Sequence, residues 1–392
     1  MAAIGTVHKP QLFLVIAVTF MAAATAVWAE DGVFDDRIVF GQSAALDGPA
    51  EALGRGMEEG ILAAFDEINR AGGIEGRMLE LITYDDGYEP ERAIANVNRL
   101  IDDDHVFAII GEVGTPTSGA VQPIAGQAGV PFLAPFTGAE FLRDPSLQNV
   151  VNIRASYGQE AEAWVEHLTS DLGLDRIAIL YQDDSFGRAG LDGVRRAMEL
   201  RGLELVAEGT YMRNTMAVKR AVLAIRKADP EAVVIVGAYQ PSAEFIRISR
   251  NLGLDPVFVN ISFVGSKALA DELGPDGEGV VVSQVVPSPD DTTLPLVADY
   301  RRALAALDPG LEPGFVSLEG YIAGRLVVAA LEAMGPDVTR SGLLSTIRNI
   351  GKFDLGGVKL EFGPDDNQGM DRVYLTVLEG DGSFRAIDRL GE

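Results

Sequence analysis

The 392-residue sequence contains no cysteine. Disulfide bonds are therefore excluded, and so is a lipid-bearing cysteine at an export cleavage site. Histidine is almost absent: His8, His105 and His167 are the three, and no two have the spacing of a metal-ligand pair. The run Asp102-Asp103-Asp104 before His105 lacks the alternating oxygen ligands and glycine turn of a calcium loop, and it reads as a solvated turn. No Gly-x-Ser-x-Gly stretch offers a nucleophilic serine. Basic residues are scarce, with 32 Lys and Arg against 58 Asp and Glu and a net charge of −26. A field of that sign repels phosphate backbones, which argues against nucleic acid as a partner. No cofactor, metal or catalytic constellation is indicated, and an enzyme is not expected.

What is present is apolar and ordered in blocks. Residues 12–27 carry no charge, follow Lys9 and end in Val27-Trp28-Ala29 before Glu30-Asp31, so residues 1–29 are expected to be a secretory signal peptide cut after Ala29. The alternative is an uncleaved anchor, since the run approaches the length of about 18 residues that spans a membrane. No second run of this kind follows.

From Arg37 on, short β-branched runs alternate with helical patterns, as in parallel sheets with crossover helices. Strands are expected near 37–40, 78–84, 106–110, 131–134 and 150–153, with helices over 54–71 and 90–101 between them. Gly72-Gly73 should end the first of those helices. A second series follows Ser156, with helices over 158–171, 187–202, 216–228 and 241–251 and strands near 176–181, 203–211, 232–236, 257–260 and 279–285. Pro287-Ser288-Pro289 breaks the pattern. Helices over 292–307, 314–334 and 341–349 and a strand-rich tail complete the chain. Gly54, Gly56 and Gly60 read as helix-packing positions, because the spacing does not match a dinucleotide loop. The fold class is thus α/β, in two lobes.

In open parallel sheets, ligands meet the loops beyond the carboxyl ends of the strands. Residues 109–125, IIGEVGTPTSGAVQPIA, place a buried strand, a glycine crossing and a helix start at such a point. Thr115, followed by Pro116, is expected as the N-cap of that helix and as a hydroxyl for an anion; the two roles are compatible.

The run Glu67-Ile68-Asn69-Arg70-Ala71-Gly72-Gly73-Ile74-Glu75-Gly76, with Leu79-Glu80-Leu81, Asp85-Asp86 and Pro90 after it, resembles the leucine/isoleucine/valine-binding type of periplasmic solute-binding protein. Gly48-Pro49, Gly111, Pro131, Pro135, Phe186-Gly187 and Gly253 also fall in that family's pattern. The resemblance implies the type I periplasmic binding protein fold, two Rossmann-like lobes with parallel central sheets joined by a three-crossover hinge. It implies an N-terminal lobe of 36–155 plus 286–362 and a C-terminal lobe of 156–285 plus 363–390, crossing near 155–156, 285–289 and 362–363. It further implies a monomeric receptor in the periplasm that hands an amino acid or small carboxylate to ABC transporter permease subunits. A sensory role for a carboxylate such as an aromatic acid is the alternative.

Residue by residue, the resemblance implies that Thr115 binds the ligand carboxylate, and that Phe136, Thr137 and Gly138 lie in the adjoining loop, with Gly138 where a threonine is usual. Phe186 and Tyr239 match aromatics of the second lobe, and Leu53 stands where the first lobe often offers an aromatic wall. Ser262 occupies the place of the acid that pairs a ligand ammonium. Glu112 reads as a solvent-facing loop acid, the alternative being that it replaces the missing one. Tyr157 is expected to be exposed toward the cleft; Phe136 and Phe263 are open between core and cleft wall.

Overall fold

The computed structural model describes residues 1–6 and 30–391, so residues 7–29, most of the expected signal peptide, lie outside the described residues. The first body opens with β1 (Arg37–Ala44), α1 (Glu51–Arg70), β2 (Met78–Asp85), α2 (Pro90–Asp102), β3 (Ala108–Ile110), α3 (Thr115–Gln127), β4 (Phe132–Leu133) and β5 (Val150–Val151). The chain then enters α4 (Tyr157–Ser170), β6 (Ile177–Gln182), α5 (Ser185–Glu199), β7 (Ala207–Tyr211), α6 (Lys219–Lys227), β8 (Ala232–Val236), α7 (Tyr239–Asn251), β9 (Val257–Asn260), α8 (Ser266–Leu273) and β10 (Val281–Gln284). It continues through α9 (Pro295–Leu307), α10 (Phe315–Met334), α11 (Arg340–Ile350), the hairpin of β11 (Lys352–Asp354) and β12 (Lys359–Glu361), then β13 (Tyr374–Leu378) and β14 (Phe384–Ile387).

Two sheets organise these elements, and their strand orders fix where a ligand can meet them. One runs β2-β1-β3-β4-β5, the other β14-β13-β10-β9-β8-β6-β7. The first is parallel throughout; the second is parallel except where β13 and β14 add antiparallel at its edge. In each, the order reverses once, between β1 and β3 and between β6 and β8. Those are the topological switch points, where loops diverge and leave a crevice at the strand ends. Thr115 follows β3, while Phe186 and Tyr239 follow β6 and β8. Three of the residues singled out in the sequence thus stand at the two switch points, and Phe136, Thr137 and Gly138 follow the neighbouring strand β4.

α10 returns to the first body and packs along α1 at very close range. A β-carbon on Gly60 would fall 2.0 Å from the Ser317 carbonyl oxygen, and one on Gly320 would fall 2.4 Å from that of Met57. The helix-packing role expected of Gly60 is realised there; Gly56 meets Val316 and Gly54 meets the Ala45 carbonyl. α10 is apolar on nearly every face because it is covered on nearly every face, with Leu318, Tyr321, Ile322, Val327 and Leu331 all buried.

Several expected boundaries shift. α1 begins at Glu51 instead of 54, and β7 spans only Ala207–Tyr211. α6 starts at Lys219, three residues late, because Thr215–Val218 forms hydrogen-bonded turns. α8 was absent from the sequence reading. It is short, and its buried Leu269, Ala270 and Leu273 span little more than one turn, too few for a clear helical period.

Candidate functional site

Between the two switch points, hydroxyls from three elements converge. Thr115 Oγ1 lies 2.7 Å from Thr137 Oγ1, which lies 3.3 Å from the Tyr157 hydroxyl. All three residues are at most 1 % exposed. Thr115 is not the N-cap: Gly114 fills that position with φ 109°, a conformation suited to glycine, and the helix starts at Thr115. Its side chain is thereby free to face Thr137. The first-turn N–H groups of α3 have no intrahelical carbonyl to bond, so donor hydrogens and the positive end of the helix dipole meet the same place.

Gly138 explains how Tyr157 comes so near. A β-carbon there would sit 2.4 Å from the Tyr157 ring, and the Gly138 carbonyl accepts a hydrogen bond from the Tyr157 amide at 2.7 Å. A threonine at 138 would expel the ring; with glycine there, the hydroxyl comes from Thr137. Tyr157 itself starts α4 under a capping box formed by Ser156 and Gln159. The expectation that Tyr157 is exposed is wrong, because its ring is wedged between Gly138 and Phe186 at 0 % exposure.

Aromatic rings from both bodies close over this point. Phe263 stands 4.7 Å from Phe186, 5.2 Å from Phe136 and 6.0 Å from Tyr88, and Tyr157 stands 5.6 Å from Phe186. At such separations the rings are in contact. Phe136 and Phe263 are thus both buried and at the junction of the bodies, which resolves the alternatives left open for them. The arrangement is a closed one, and admission of a ligand between these rings requires the bodies to part.

Ser262 is neutral, but a carboxylate lies against it. Glu160 of α4 accepts from the Ser262 amide at 2.9 Å, from its hydroxyl at 2.8 Å and from Ser283 at 2.5 Å. The Arg154 guanidinium bonds the Ser262 hydroxyl and approaches Glu160 at 3.7 Å and Glu319 at 3.6 Å. It lies 4.8 Å from the Phe136 ring centroid. Burial pushes the Glu319 carboxyl up to about 7, against the pull of Arg154. Arg143 fastens the loop to this group by donating to the carbonyls of Ala139 at 2.8 Å and Arg154 at 3.1 Å.

Sequence reasoning missed Arg154, Glu160 and Glu319. The signal was present: Glu160 falls on the buried stripe of α4 with Tyr157, Ala161 and Trp164, Glu319 interrupts an apolar helix, and Arg154 lies in a buried run, 150–157, just past β5. A charge at a position that periodicity assigns to the core marks a functional or structural network.

Glu112 is not a solvent-facing acid. It is 1 % exposed, bonded to Ser118, and its other oxygen has no partner among the described residues. Burial, with the nearby Asp86 charge, lifts its carboxyl well above the ordinary range. Asp86 is itself pushed up to about 6 by burial, while the Ser43 hydroxyl and Tyr88 amide each bond it at 2.7 Å. Leu53 and Tyr239 come together at Gly265 of the second body, so both seal the junction.

Four similarities to known proteins bear on the whole arrangement. A family model described as periplasmic binding protein matches residues 37–383. A crystal structure of a "possible leucine/isoleucine/valine-binding protein" from Rhodopirellula baltica SH 1 is 39% identical, with TM-score 0.85, over 92% of this chain and 98% of that one. A leucine-, isoleucine-, valine-, threonine- and alanine-binding protein of Pseudomonas aeruginosa is 23% identical over 319 residues, 81% of this chain and 83% of its own. A fatty acid ABC transporter substrate-binding protein from Thermomonospora curvata shares the fold at 22% identity and TM-score 0.83, over 92% of this chain and 93% of its own.

Proposed function

Since the chain belongs to the periplasmic binding protein family, we propose that it is the extracytoplasmic receptor of an ABC importer. In this reading it holds a small carboxylate between its two bodies and performs no catalysis. Residues 1–29 direct its export, the bodies follow the segment limits expected from the sequence, and permease subunits in the inner membrane take up the solute from a monomeric receptor. The observation that carries the reading is the convergence of the Thr115, Thr137 and Tyr157 hydroxyls at the start of α3, beneath rings contributed by both bodies.

The energetics are consistent with such a role. A hydrogen bond to a charged group contributes about 1.5 to 3 kcal/mol net, whereas micromolar affinity requires about 8 kcal/mol. Hydroxyls and helix amides supply part of that. Burial of an apolar tail against Phe136, Phe186 and Phe263 supplies the remainder at about 25 cal/mol per Å².

The relatives suggest a branched-chain amino acid, yet one observation favours a carboxylate without an α-ammonium group. Glu160, the acid nearest to Ser262, already accepts from two serines and faces Arg154, and Glu112 is bonded to Ser118. An ammonium without a counter-charge in a closed site costs several kcal/mol. A thermal-shift screen of leucine, isovalerate, phenylacetate and benzoate tests both versions, because a ligand that binds only the folded form raises Tm. Stabilisation by isovalerate or an aromatic acid but not by leucine supports the ammonium-free ligand. Stabilisation by leucine alone returns the assignment to amino acids, and bound solute seen away from Thr115 removes the site.

A further inference from the structure

We propose that Glu89, Arg213 and Asn214 form a latch that holds the two bodies closed, and so sets the affinity for solute without touching it. The proposal rests on the reading that solute binds between the bodies. Glu89 directly precedes α2 in the first body, and Arg213-Asn214 follow β7, the edge strand of the second sheet. One carboxylate is gripped from across the junction by both residues: Arg213 Nη2 lies 2.8 Å from Glu89 Oε2, and Asn214 Nδ2 lies 2.7 Å from Glu89 Oε1. The same Asn214 amide donates to the Gly87 carbonyl at 3.0 Å.

Both gripping groups are oriented from within their own body. Arg213 Nη1 reaches back to Asp184 at 3.2 Å, and Asp184 caps α5 by accepting from the Phe186 amide at 3.0 Å. Asn214 adopts φ 57°, a left-handed conformation that asparagine tolerates better than most side chains, which fixes the direction of its amide. A preoriented fork loses less freedom on forming its bonds than a free side chain does.

The latch adjoins the aromatic cluster without belonging to the hydroxyl site. Tyr88, next to Glu89, packs against Phe263, and its hydroxyl lies 3.4 Å from Gln182 Nε2 of the second body. A second cross-junction pair, Lys267 with Glu312 at 2.7 Å, has side chains 46 % and 69 % exposed, against 22 % and 39 % for Arg213 and Glu89. The shielded pair is screened less by water and salt, so the Glu89 contact outweighs the Lys267 one; the fully buried Arg154–Glu160 pair also crosses the junction, but it stands beside the crossover at 155–156 and within the candidate site. Because its partners stand on different bodies, the contact exists only in the closed state, and its whole contribution shifts the open–closed balance.

The unliganded protein suffices for a test. The chain has no cysteine, so Asp103→Cys and Leu223→Cys, at exposed positions on the two bodies, give one spin-label pair. Dipolar distance measurements then report the closed fraction at about 50 and 500 mM NaCl. Glu89→Gln and Arg213→Met are each expected to lower the closed fraction, measured as the closed-to-open ratio, by about two- to fivefold at low salt. The double variant should fall no further than either single, and added salt should lower the ratio in the parent only. Glu89 makes no side-chain cap bond to α2, so melting curves of the variants should stay close to the parent and serve as the check on folding. Singles that keep the parent's ratio, or losses that add in the double variant, overturn the latch. A single unchanging separation in every sample, the parent included, overturns the hinged reading along with it.

Discussion

Thr115 and Thr137 come from the loops after β3 and β4, neighbouring strands of one sheet, and their hydroxyl oxygens lie 2.7 Å apart. Two buried hydroxyls that bond each other are each satisfied, yet each retains acceptor or donor capacity that an anion can recruit. Thr115→Val is expected to weaken carboxylate binding by at least about tenfold, equivalent to about 1.4 kcal/mol, with little change in Tm. Calorimetry on the best ligand from the thermal-shift screen checks this. Unchanged affinity would leave Thr115 a packing role only.

Glu112 gives a separate test of ligand class. Its carboxyl is lifted by burial and bonded to Ser118, so Gln at this position mimics the neutral acid. Glu112→Gln should alter isovalerate binding by less than about twofold, or about 0.4 kcal/mol. A loss confined to leucine would assign Glu112 to the ammonium.

The Glu319 carboxyl titrates at about 7 in the folded protein, above its ordinary value of 4.5. A group raised on folding holds its proton longer in the native state, so its stabilising effect is full at low pH and is lost as pH rises from about 4.5 to about 7. Glu319→Gln should therefore exceed the parent in urea stability at pH 8, with the gap shrinking toward pH 5. A gap that is constant with pH would contradict the shift.

The seam between α1 and α10 predicts a severe local penalty. Gly60→Ala puts a methyl 2.0 Å from the Ser317 carbonyl oxygen, where backbone must yield. A loss of about 3 kcal/mol is expected from urea denaturation. A loss under about 1 kcal/mol would show that the helices can slide apart cheaply.

The sequence was legible where periodicity and β-branched runs were long. The alternation from Arg37 to Gln284 and the resemblance around residues 67–90 led to two wound sheets, and the strand orders agree. Thr115 was legible in the strand-to-helix pattern, while Phe136, Thr137, Gly138 and Phe186 came from the family resemblance and Tyr157 from its place past a crossover that the resemblance implies; the fold gathers them at one junction. Glu112 and Tyr157 were misjudged in exposure, because burial there depends on Ser118 and Gly138, residues whose approach no local pattern encodes. Arg154, Glu160 and Glu319 escaped notice for a related reason. Each sits at a position the pattern gives to the core, but their meaning lies in meeting one another, which the pattern does not encode.

The tight seam of α1 against α10 also bears on how the protein is made. Glu67 and Arg325, paired across it at 2.7 Å, are 258 positions apart. A growing chain that has passed α8 but not reached Gly320 leaves the apolar side of α1 bare, so the earlier body cannot finish before the later one has been synthesised. Refolding should accordingly be slow for a protein of parallel sheets, and intermediates lacking α10 should be the ones that aggregate.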